Sequence, residues 1–153
     1  MILTNEQAML NFGRQLMQVS QATYPTIFLQ GQLGAGKTTL TRGMLRALAY
    51  QGVVKSPTYT LVEHYAFPTI DVYHFDLYRL SDAQELEHIG MRDYFKEHTL
   101  CIIEWPEYGE GYLPIADIIC EIKILDHQRE LLLLANTDKG NNIVKQISRA
   151  NDD

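Results

Sequence analysis

One eight-residue run constrains this chain more than anything else in it. Gly31-Gln32-Leu33-Gly34-Ala35-Gly36-Lys37-Thr38 fits the spacing G-x-x-x-x-G-K-[ST]. The glycines admit backbone angles that a side chain forbids, so successive N–H groups can turn inward on an anion. Lys37 supplies a compact positive charge for the β- and γ-phosphates of a nucleotide. Thr38 offers a hydroxyl to Mg²⁺. A helix leaving such a loop points its positive end at the same anion. The flanks agree with this reading. Thr26-Ile27-Phe28-Leu29 predicts a short buried strand entering the loop. Thr38 to Tyr50 predicts a helix leaving it, with Leu40, Met44, Leu45 and Leu48 at helical spacing.

At 153 residues the chain is long enough for one domain with a real core. Residues 1–136 are read as a single nucleotide-binding domain, and 137–153 as a polar C-terminal tail that frays. No apolar run is long enough to cross a bilayer. Met1 to Glu6 shows neither the basic nor the apolar zone of a secretion signal. Cys101 and Cys120 sit in apolar stretches and read as buried reduced thiols, so the cytoplasm is the expected compartment.

Charge is unevenly spread along the chain. Residues 1–62 carry five Lys/Arg against Glu6 alone, whereas residues 63–121 carry thirteen Asp/Glu against Arg79, Arg92 and Lys96. An acidic surface repels a nucleic-acid backbone, which argues against a free-standing nucleic-acid binder. It suits a basic protein partner or a solvated face.

The element order is α/β. A first helix is expected from Thr4 to Val19, capped by Thr4 with Gln7 three residues on. Thr60 to Ala66 and Thr69 to Asp76 predict an antiparallel hairpin. Ser81 to Gln84 opens a helix that stops near Gly90, and Leu100 to Ile103 is a buried strand ending at Glu104. Asp117 to Leu125 and Arg129 to Ala135 predict a second hairpin. The fold expected is a P-loop nucleotide-binding fold with a parallel core sheet flanked by antiparallel strands.

Three further segments have the composition of a nucleotide-hydrolysis site. Lys55 to Thr60 is a hydroxyl-rich loop between helix and strand, the place for a nucleotide-sensing loop. Asp76 closes a strand, where phosphate-loop enzymes keep a metal-facing carboxylate. Glu104 ends a buried strand, so it faces the crevice of an open sheet, and the only tryptophan, Trp105, follows at once. Pro106, Glu107 and Glu110 make a deep apolar setting for Trp105 less natural, so it is read as partner-facing or nucleotide-sensing.

Taken in order, Gly-x-Leu-Gly-Ala-Gly-Lys-Thr-Thr, Ser-Pro-Thr-Tyr, His-Phe-Asp-Leu-Tyr-Arg, Glu-Leu near Gly90 and Glu-Trp-Pro-Glu resemble the bacterial TsaE family over about residues 25–114. The resemblance implies a small ATPase, weak alone, needed for threonylcarbamoyl-adenosine (t6A) modification of tRNA. It implies work with the TsaB–TsaD heterodimer, with tRNA met only through that complex. The implied cofactors are ATP and Mg²⁺. The resemblance places the metal on Thr38 and Glu104. It places nucleotide contacts at Gly34, Ala35, Gly36, Lys37, Thr38, Thr39, Ser56, Thr58 and Arg129. Catalytic roles fall to Lys37, Asp76 and Glu104, and partner or switch roles to Tyr59, Glu85 and Trp105.

Rival classes lack their marks. A GTPase would show Asn-Lys-x-Asp and Asp-x-x-Gly, and neither is present; no arginine-rich lid points to a small-molecule kinase. His64, His74, His88, His98 and His127 have no zinc-site spacing and read as scattered surface or packing residues. From the residues alone, a nucleotide-dependent regulatory module and a nucleoside or sugar kinase stay open beside the ATPase.

Overall fold

The computed structural model describes residues 1–57 and 59–152. Its elements run β1 (Ile2–Leu3), α1 (Glu6–Ser20), β2 (Thr26–Gly31), α2 (Lys37–Arg46), β3 (Val62–Ala66), β4 (Asp71–Asp76), α3 (Glu85–His88), β5 (Thr99–Glu104), β6 (Ile118–Leu125), β7 (Gln128–Ala135) and α4 (Asp138–Asp152). Short 3-10 turns cover Met91–Tyr94 and Pro106–Gly109.

Seven strands form one sheet in the order β1-β7-β6-β2-β5-β4-β3. The central four, β6, β2, β5 and β4, are parallel; β3, β7 and β1 pair antiparallel at the margins. This is the expected P-loop architecture. Burial explains it: β5 is buried along its whole length, as a strand covered on both faces must be.

Strand alternation sorts the core. Ile27, Leu29, Val72, Leu100, Ile102, Ile118 and Cys120 meet α1, α2 and α4 on one face. Phe75, Leu77, Cys101 and Ile103 pack on the other against Leu86 and Met91. Both thiols are buried and unpaired, and burial pushes each up to about 12. Helices α1 and α2 touch backbone to backbone. A Cβ on Gly13 would lie 2.3 Å from the Leu40 carbonyl oxygen, and one on Gly43 would lie 2.3 Å from that of Leu10. That close crossing fixes the direction of α2, and so of the loop at its head.

Several local expectations need correction. The cap of α1 is Asn5, whose Oδ1 accepts from the Ala8 N–H at 2.8 Å, not Thr4. α2 ends at Arg46 rather than Tyr50; Ala49 takes a left-handed conformation (φ 65°) just beyond. The helix expected near Gly90 shrinks to the four residues of α3. The largest difference lies at the C-terminus. Residues 138–152 do not fray but form α4, which buries Gly140, Ile143 and Ile147. Polar composition hid an apolar stripe at i and i+4, which is enough to dock a helix.

Candidate functional site

The site lies where the parallel strands end. Asp76 on β4 and Glu104 on β5 are in-register partners, and Glu104 also pairs with Leu29 on β2. Adjacent strands in register present side chains on the same face. The two carboxylates therefore stand side by side at the carboxyl edge, in front of the loop that follows β2. Both are buried, Asp76 at 6% and Glu104 at 2% exposure.

The loop closes onto α2 through Gly36, at φ 111° and ψ 18°, a conformation that suits only glycine. Lys37 opens the helix, 5% exposed. Its ammonium donates to the Gly31 carbonyl and, at 3.2 Å, to that of Gln32. It also lies 4.0 Å from the centroid of the Trp105 ring. Burial holds its pKa below the ordinary lysine value, against the opposing pull of Glu104, Asp76 and Glu107.

Thr38 follows, and its Oγ1 lies 3.4 Å from Glu104 Oε2. The same oxygen meets His74 Nε2 at 2.5 Å. Ser56 Oγ donates to Asp76 Oδ2, while Asp76 Oδ1 accepts from the Tyr78 N–H at 3.0 Å. The hydroxyl-rich loop is thus tied to the β4 carboxylate.

These residues enclose an open cavity of about 470 Å³ lined by Gly34, Gly36, Lys37, Thr38, Asp76 and Glu104, with Thr39, Ser56, Arg79 and Trp105 among its other walls. A second cavity of about 210 Å³ shares Gly34 to Gly36 and Thr39 with the first and is bordered by Asn5, Glu6, His127 and Arg129. Arg129 reaches across from β7, donating through Nε to the Ala35 carbonyl at 3.1 Å and through a terminal nitrogen to that of Gly34 at 3.4 Å. It braces the loop from outside.

Trp105 has φ 55° and ψ 50°, left-handed for a residue with a Cβ. Such a conformation costs about 1–2 kcal/mol. It turns the indole onto Lys37 and stacks it on Tyr108, with ring centroids 5.7 Å apart, and near Tyr78 at 4.9 Å. Trp105 is half-buried, at the border between the second core cluster and the cavity.

Not every residue singled out from the sequence comes to this place. Tyr59 is 86% exposed, with the Arg79 guanidinium 4.9 Å from its ring centroid, and does not line the cavity. Glu85 sits on the exposed side of α3, where it accepts from Ser81 Oγ at 2.9 Å. Thr58 lies outside the described residues. His74, read from the sequence as a surface or packing histidine, is instead fully buried and bonded to Glu104. The period of two was the available signal: His74 precedes Asp76 by two on one strand, so it must share its face. Arg79 was also missed as a cavity residue, having no spacing mark of its own.

Among the described residues no three His, Cys, Asp or Glu side chains form a ready-made metal cage. The hard oxygens of Thr38 and Glu104 nevertheless fit Mg²⁺, which is commonly held by one or two protein groups together with phosphate oxygens and water.

Fold and loop together define a small α/β protein of the P-loop fold. The model of the family "Threonylcarbamoyl adenosine biosynthesis protein TsaE" matches residues 3–131. This chain belongs to the TsaE family, which serves t6A biosynthesis in tRNA. Among its relatives, the tRNA threonylcarbamoyladenosine biosynthesis protein TsaE of Haemophilus influenzae is 48% identical over 150 residues, 95% of each chain. The protein of the same name from Bacillus subtilis is 35% identical over 122 residues, 79% of this chain and 76% of that one. In three dimensions the chain is similar to the crystal structure of Bacillus subtilis YdiB, with a TM-score of 0.81, 25% identity and coverage of 99% of this chain and 94% of that one.

Proposed function

We propose that this protein is a Mg²⁺-dependent ATPase of the cytoplasm whose hydrolysis drives a cycle of the TsaB–TsaD heterodimer during t6A modification, and that it meets tRNA only through that complex. One observation carries the reading: Thr38, Asp76 and Glu104 converge at the strand ends in front of Lys37 and the glycine loop. A phosphate-binding loop with no carboxylates opposite would bind nucleotide without a means to process it.

In this reading the loop N–H groups and Lys37 bind the phosphates, with Lys37 exchanging its present carbonyl partners for phosphate oxygens. Thr38 and Glu104 hold Mg²⁺ directly or through water. When bound, the metal neutralises charge developing on the β- and γ-oxygens. Asp76, already hydrogen-bonded to Ser56 and the Tyr78 N–H, orders the attacking water or a water on the metal. Its link to Ser56 couples that step to the 55–60 loop. Arg129 keeps the loop closed, and Trp105 covers Lys37 on the side open to a partner.

The test is steady-state ATP hydrolysis by the purified chain alone, with TsaB–TsaD, and with TsaB–TsaD plus tRNA. Slow turnover alone and a marked rise with the heterodimer are expected. Turnover unchanged by the heterodimer, or phosphate transferred to a small molecule, overturns the reading.

A further inference from the structure

His74 is the least expected polar group in the molecule. Its side chain is 0% exposed. It sits on β4 with Ile102 as its in-register neighbour on β5 and Val72 two residues before it, both part of the apolar core. Its Nδ1 has no hydrogen-bond partner among the described residues. A branched apolar side chain would fill this strand position without leaving a buried polar atom unpaired, a defect that costs stability. Packing alone therefore gives no reason for an imidazole here.

The other ring nitrogen supplies the reason. Nε2 lies 2.5 Å from Glu104 Oε2. A carboxylate only accepts, so the hydrogen bond puts a proton on Nε2. The same Oε2 faces Thr38 Oγ1 at 3.4 Å. Two donors from two different elements thus fix one oxygen of a carboxylate that is otherwise at the end of a flexible side chain.

We infer that His74 is a positioning residue that locks the Glu104 carboxylate, through Nε2–H to Oε2, in the orientation needed to receive the divalent metal of a bound nucleotide. The inference rests on the reading that Glu104 faces Mg²⁺. Hydrogen bonds from the surroundings to a metal-binding side chain orient it, and removing them typically weakens metal binding by about 10–100-fold. His74 touches neither metal nor nucleotide; it acts through Glu104.

The experiment is calorimetric titration of a nonhydrolysable ATP analogue at a series of Mg²⁺ concentrations, with wild type, His74→Leu, His74→Gln and Glu104→Ala. His74→Leu removes the donor, and His74→Gln keeps an N–H on a side chain of similar reach. The Mg²⁺ concentration for half-maximal enhancement should rise about 10–100-fold in His74→Leu. It should stay near the wild-type value in His74→Gln, and analogue affinity without metal should hold in both. A purely structural role would not be rescued by glutamine, nor confined to the metal-dependent part of the affinity. Wild-type magnesium dependence in His74→Leu, with that of Glu104→Ala shifted, overturns the inference alone. Wild-type dependence in Glu104→Ala overturns the metal reading itself.

If His74→Leu does not fold, the wild-type protein still decides the matter. The imidazole Nε2–H resonance in ¹⁵N-labelled protein, identified by its loss in His74→Gln, should move when Mg²⁺ is added to the analogue complex. A resonance unmoved by the metal overturns the inference.

Discussion

The Lys37 ammonium lies 4.0 Å from the centroid of the Trp105 indole. The two residues belong to different arms of the site: Lys37 opens α2, and Trp105 leaves β5 directly after Glu104. Trp105 holds a left-handed backbone to reach this position, and Lys37 is meanwhile bonded to its own loop carbonyls. Under the proposed function a phosphate arriving at Lys37 would compete with all three contacts, and nucleotide occupancy would then be conveyed to the aromatic surface of Trp105, Tyr78 and Tyr108.

Trp105 is the only tryptophan, so this coupling is directly observable. Its emission should change on addition of nucleotide with Mg²⁺, and the change should vanish in Lys37→Ala. Trp105→Ala should cost about 0.5–3 kcal/mol in thermal unfolding, as expected for a half-buried ring. It should reduce hydrolysis stimulated by TsaB–TsaD far more than it reduces nucleotide affinity. Loss of both in proportion would make Trp105 a packing residue only.

Lys37→Ala should abolish productive ATP binding. Hydrogen bonds to a charged group are worth about 1.5–3 kcal/mol each, and calorimetry should show affinity reduced by at least tenfold. Wild-type affinity in this variant would remove Lys37 from the phosphate site.

Nucleotide binding should take up protons at alkaline pH. Burial depresses the Lys37 pKa in the free protein, and a bound phosphate favours its charged form. The bound state thus holds more protons, and affinity must fall as pH rises through the lowered pKa. The same depression makes the unfolded state the better proton binder, so Lys37's cost to folding is present below that pKa and relieved as pH climbs toward the ordinary lysine value. Calorimetry in buffers of different ionisation enthalpy measures the uptake directly. Lys37→Arg, which stays charged, should show none.

Ile143→Ala in α4 should destabilise the protein by about 2–4 kcal/mol, because Ile143 is 1% exposed. A melting temperature equal to wild type would mean that α4 is not docked in solution. Arg129→Ala, by contrast, should leave stability nearly unchanged and weaken nucleotide binding several-fold through a looser loop, as measured by calorimetry.

The isolated chain should bind free tRNA poorly. Its net charge is −6, and residues 63–121 carry thirteen acidic residues against three basic ones, which repels a phosphate backbone. Fluorescence anisotropy at physiological salt should show no submicromolar binding.

What the sequence determined alone was local. The glycine loop, the strand before it and both hairpins are set by backbone requirements and by alternation within a few residues, so they were readable at Gly31–Thr38, Val62–Asp76 and Ile118–Ala135. Asp76 and Glu104 were legible as strand-end carboxylates for the same reason. Tertiary structure decided everything that depends on two distant segments meeting. It put His74 beneath Glu104, thirty residues away, and Arg129 against Ala35, ninety-four residues away. It laid Trp105 over Lys37 and kept Tyr59 and Glu85 off the cavity wall. It also made α4 a helix, because Ile143 and Ile147 gain a place to bury only when α1 and β7 are already in position. Pattern within a segment records which face is apolar, while the partner of that face is fixed only by the register and order of the sheet.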